Sequence, residues 1–155
     1  MIRQSTPTLA ELYDVDETAW LDVMSDLVRE GRLDDLDLLH LGEYLSDMAA
    51  SDRREVESRL TILMMHVLKW LHQTDKRTSS WRRTISEQRK ELGRLLKSGA
   101  LRQHAEAALP EMYTDAVELA ADETELPEDT FPSQCPWTLD QILSREVLSD
   151  GTQSD

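Results

Sequence analysis

Apolar residues along this chain return every three or four positions and nowhere alternate one by one, which predicts helices and no sheet. The first stripe is Trp20, Val23, Met24, Leu27 and Val28, one face of an amphipathic helix. Asp14 is placed to cap it, with Glu17 three residues on in capping-box spacing, and Arg29 and Gly31 suit its end. A second helix is expected from near Asp34–Asp37 to about Ala50 on Leu38, Leu41, Leu45 and Met48. Its other apolar strip, Leu36, Leu39 and Ala50, contains one carboxylate, Glu43, which must be exposed or paired.

Ser51 is expected to cap a third and longest helix, reaching Gln73. Between Leu60 and Leu71 its apolar residues cover every side of the wheel, the mark of the central helix in a bundle. Ser79 or Ser80 would cap a fourth, ending near Gly99, with Trp81, Ile85, Leu92, Leu95 and Leu96 on its apolar arc. Opposite them stand Arg83, Lys90, Arg94 and Lys97, while Gln88 lies inside the arc and Arg89 on its shoulder. A fifth helix over 100–124 contains Pro110, which removes a backbone hydrogen bond and predicts a kink or restart near Leu109.

The proline-punctuated segment LPEDTFPSQCP follows, anchored by Leu126, Phe131 and Trp137, before a short helix over Leu139–Leu143 opened by Thr138 and Gln141. The expected fold is all-α: an irregular antiparallel helical bundle of about five helices with an extended proline-rich C-terminal segment. Residues 1–148 read as a single helical domain and 149–155 as a disordered tail.

Charge changes the picture more than composition does. The net is −14, yet 13 of the 17 basic residues fall between Arg53 and Arg102. Met1–Asp52 holds 3 bases against 13 acids, and Ala105–Asp155 holds 1 against 13. A cationic middle between anionic flanks is first a chain neutralising itself, and the total disfavours nucleic acid as a partner. The single Cys135 excludes an intrachain disulfide. No apolar run approaches the roughly 20 residues that span a bilayer, and the N-terminus lacks a signal-peptide core, so a cytoplasmic protein off the membrane is expected.

Two groups of polar residues stand out. His66 and Lys69 lie three apart on the helix expected to be buried, where an unpaired ammonium costs several kcal/mol. Glu43, on the neighbouring helix, is the candidate counter-charge, and Gln88 and Arg89 could join an inner polar site. The bland alternative is a structural network fixing helix register. The second group is the face of Arg83, Lys90, Arg94 and Lys97, a candidate partner surface. No Glu-x-x-His pair, Gly-rich phosphate loop or nucleophile elbow is present, so neither metal nor cofactor is expected.

The blocks LYDVDETAW, GRLDDLDL, SDRREVESRLTILMMHVLKW, SSWRRTISEQR and ETELPEDTFPSQCPW resemble, in that order, the bacterial family catalogued as domain of unknown function 29. The resemblance runs from Leu12 to Leu143 and implies a small all-helical domain; it brings no activity with it. Where that family tends to show acids or amides, this chain has Leu39, His40 and Tyr44, and only Glu43 keeps the acidic character. The expected function is a non-enzymatic helical interaction protein that binds an acidic or self-complementary protein partner, a homo-oligomer included. A small-molecule binder or enzyme built on Glu43, His66 and Lys69 is the alternative.

Overall fold

A computed structural model describes residues 5–148, and the tail expected over 149–155 lies outside them. Six α-helices and four short 3-10 turns follow one another, and no strand occurs among the described residues. The helices are α1 (Leu9–Val15), α2 (Glu17–Arg29), α3 (Leu38–His72), α4 (Ser79–Leu95), α5 (Gly99–Thr124) and α6 (Leu139–Leu143). Two compact units result, Met1–Ala50 and Ser51–Asp155.

In the first unit, Thr8 and Glu11 form a reciprocal capping box that starts α1, a helix absent from the sequence reading. The cap of α2 is Asp16 rather than Asp14: its carboxylate accepts from the Ala19 amide at 3.1 Å while its own amide closes α1 on Leu12. Gly31, at φ 70°, takes the left-handed position after α2 that a residue with a Cβ enters only with strain. Trp20 is fully buried and anchors a small core with Met24 and Leu27.

Asp37 ties this unit together. Its carboxylate accepts from the Trp20 indole at 3.1 Å and from His40 Nδ1 at 2.6 Å, and its other oxygen reaches the His40 amide at the start of α3. The His40 ring stacks on Tyr13, 4.4 Å between centroids.

The helices expected over 34–50 and 51–73 are one: α3 runs 35 residues without a break at Ser51. Ala49, Ala50, Ser51 and Asp52 include neither Gly nor Pro, and Ser in a helix interior costs under about 1 kcal/mol relative to Ala. A capping residue therefore marks where a helix can start, not where it must.

The core of the second unit is the C-terminal half of α3. No residue from Leu60 to Leu71 is exposed, and Leu60, Leu63, Met64, Val67 and Leu68 are completely covered. Ile85, Leu92 and Leu96 come from the region of α4, Ala105 to Ala121 from α5, and Leu139 and Ile142 from α6.

Three boundaries differ from expectation. Thr78 caps α4 through the Trp81 amide, in place of Ser79 or Ser80. Gly99 does not end α4; it opens α5, behind an Ser98 cap. Pro110 leaves α5 uninterrupted, because its ring sits on the exposed side of a helix whose other side buries Leu109, Met112 and Tyr113. One lost hydrogen bond is outweighed by that burial.

Beyond α5 the chain is fixed at separate points. Tyr113 donates to the Pro132 carbonyl at 2.6 Å, and Phe131 is 3% exposed. The Cys135 thiol donates to the Trp137 carbonyl at 3.3 Å. Thr138 and Gln141 form the expected capping box of α6, and Arg102 binds Asp140.

Candidate functional site

Lys69 is buried on α3, and its partner is Glu123 of α5, not Glu43. The ammonium lies 2.5 Å from Glu123 Oε2 and 4.5 Å from the Trp81 ring centroid. Glu43 is exposed on the same helix as Lys69, about seven turns before it, so the continuity of α3 removes the antiparallel neighbour that was to present it.

His66 does accompany Lys69. Its Nδ1 faces the Ile62 carbonyl at 2.9 Å. Burial pushes its pKa below 6.5; the Ile62 bond opposes this, and the Lys69 charge adds to it. Gln88 lies elsewhere, accepting from Arg59 at 3.2 Å. Arg89 donates through Nε to the Ile142 carbonyl at 3.2 Å, holding α4 against α6. The five residues of the inner site thus fall into four places, and only His66 and Lys69 stay together. Glu123 was the member sequence reasoning missed; its only signal was position on α5, one of 31 carboxylates.

The basic face is present along α4 and just past its end. Arg83, Lys90, Arg94 and Lys97 are all exposed, and Arg94 is bound to Glu91 at 3.1 Å. No large exposed hydrophobic lies on α4. The apolar exposure is concentrated elsewhere: eight of the nine large hydrophobics left exposed among the described residues belong to Met1–Ala50. Leu38, Leu45 and Met48 fall within about 80° of one another on α3 at about 100° per residue. Leu39 is 80% and Val15 77% exposed. This unit carries 3 bases and 12 acids.

Among the described residues, no three His, Cys, Asp or Glu side chains group as metal ligands, and no helix is long and apolar enough to cross a membrane. The model of the family described as Domain of unknown function DUF29 matches residues 12–148. No curated protein and no solved structure matches the chain.

Proposed function

Since the chain belongs to the family described as Domain of unknown function DUF29, which carries no activity to transfer, we propose from its own surfaces that it is a non-enzymatic, cytoplasmic binding protein. Its Met1–Ala50 unit docks the basic amphipathic helix of a protein partner. The observation that carries this reading is the gathering on that unit of eight of the nine large hydrophobics exposed among the described residues.

Scattered exposed leucines need no explanation, but a row at helical spacing is the form in which helix-in-groove partners are bound. Charge selects the occupant. With 12 acids against 3 bases, a second copy of the unit would bring like charge against like, whereas a helix flanked by Lys or Arg is attracted. The α4 face is the weaker surface for an acidic partner, because a binding hot spot needs a desolvated apolar or aromatic anchor and α4 exposes none.

The test is titration calorimetry of the full chain with two designed helices, one of Leu with Lys flanks and one of Leu with Glu flanks. The basic helix should bind one to one, and Leu38→Ser with Leu45→Ser should weaken it at least tenfold while helicity is retained. Equal binding by the variant, or equal binding of the acidic helix, overturns the proposal. Concentration-dependent self-association lost in the same variant would assign the surface to a second copy and also overturn it.

A further inference from the structure

Only two buried side-chain polar atoms among the described residues lack a hydrogen-bond partner: Trp70 Nε1 and Arg89 Nη2. Both belong to residues lining one groove of about 680 Å³, within the second unit and unrelated to the docking surface above. Trp70 at the end of α3, Arg82, Ile85, Ser86, Arg89 and Lys90 of α4, Leu143 at the end of α6, and Arg145 and Leu148 beyond it form its walls. Buried donors are nearly always satisfied, so two on residues of one groove wall ask for an acceptor.

The charges of the walls ask for the same thing. Arg82, Arg89, Lys90 and Arg145 line the groove, and among the described residues no carboxylate does. Arg145 is close enough to Arg89 for the two positive charges to disfavour each other. In a chain of net −14, four cations on one groove with no carboxylate among its described lining residues stand out against the overall charge.

The residues are also held in place. Arg89 spends Nε on the Ile142 carbonyl, which fixes the plane of its guanidinium and leaves Nη2 as the unpaired corner. The indole of Trp70 lies under the guanidinium groups of Arg77 and Arg82, at 4.7 and 5.2 Å from its centroid, and is 7% exposed. Between the cations, Ile85, Leu143 and Leu148 supply apolar wall.

The geometry points to a binding site for a phosphorylated small molecule: a phosphate monoester received by Trp70 Nε1, Arg89, Lys90 and Arg145, with an apolar body against Ile85, Leu143 and Leu148. A monoester brings about two negative charges and three acceptor oxygens, enough for both unpaired donors and the cations around them. A monocarboxylate brings one charge and two acceptors. The volume lies within the roughly 300–1,000 Å³ of small-ligand sites and far exceeds inorganic phosphate alone. Among the described lining residues there is no carboxylate, His or Cys, and the site is proposed for binding alone.

Calorimetric titration of the full chain with phenyl phosphate, inorganic phosphate and benzoate tests this. Phenyl phosphate should bind one to one and at least tenfold more tightly than either of the others. Arg145→Gln should weaken it about tenfold, as should Trp70→Phe, which keeps the ring and removes the donor. Arg83→Gln with Lys97→Gln, on α4 and just past its end and both outside the groove, should leave it unchanged. Arg145 is exposed, so its variant is expected to fold even if Trp70→Phe does not. No binding at millimolar phenyl phosphate, equal affinity for inorganic phosphate, or equal losses in the Arg83 and Lys97 control each overturns the site. The residues after Leu148 include Asp150 and Asp155, and these are the rival occupants. Binding of phenyl phosphate that emerges only with Asp150→Asn and Asp155→Asn would assign the groove to the chain's own acids and overturn the proposal as well.

Discussion

Lys69 and Glu123 join α3 to α5 by an ion pair of unequal burial, the lysine side chain 9% exposed and the glutamate 48%. One edge of the pair reaches water through Glu123, and the Trp81 face covers another side of the ammonium. Removing one partner is not the same as removing the other. Lys69→Met keeps the apolar stem and deletes the charge, and should change stability by less than about 1 kcal/mol. Glu123→Leu strands the ammonium and should cost about 2 kcal/mol, below the usual figure for a fully buried pair because water reaches this one. Urea unfolding of both variants checks the asymmetry, and equal losses would refute it.

His66 makes stability depend on pH. Burial holds its folded pKa below 6.5, so the unfolded chain takes up the proton first as pH falls. The contribution is present in full above 6.5 and is lost as pH drops through the lower folded value. His66→Gln should flatten the loss of stability between neutral and mildly acid pH. Melting temperatures at pH 7.5 and 5.0 give the slope, and a variant as steep as the parent contradicts the assignment.

Asp37 carries the first unit. Burial raises its pKa, but hydrogen bonds from the His40 ring, the Trp20 indole and the His40 amide outweigh burial and leave it below 3.8. Its stabilisation is present above 3.8 and fades as pH falls through the lower folded value. Asp37→Ala should cost about 2–3 kcal/mol, from a lost helix cap and a buried indole donor left unpaired. Hydrogen exchange should quicken in Met1–Ala50 and much less around Leu60–Leu71. Uniform quickening would speak against it.

Tyr113 pins the segment after α5. Its hydroxyl donates to Pro132, and burial pushes its pKa up to about 12. Tyr113→Phe should cost about 1 kcal/mol and remove the last-titrating component of alkaline tyrosine absorbance. Loss instead of a component that titrates with the ordinary tyrosines would show the hydroxyl exposed.

The apolar rod from Leu60 to Leu71 was legible because its signal is local: every face is apolar, so some companion must cover each. The cap of α6 needed only neighbouring residues, whereas the Ser98 cap of α5 went unread beside a glycine that looked like the end of α4. What escaped was long-range choice. Lys69 had to find a carboxylate, but nothing within ten residues of it specifies Glu123, 54 positions away. Ser51 failed for the opposite reason, because a cap residue is compatible with a helix interior and the decision lay with flanking packing. The groove at Trp70 and Arg89 was invisible for the same cause, since its walls come from three separated stretches of chain.

The half-buried thiol of Cys135, engaged by the Trp137 carbonyl, has a use at the bench. Burial raises its pKa, the largest influence on it, so little thiolate forms near neutrality. A cysteine introduced on an exposed helix turn will outpace it with maleimide dyes. Site-specific fluorophores can therefore be attached without first mutating the native sulfhydryl away.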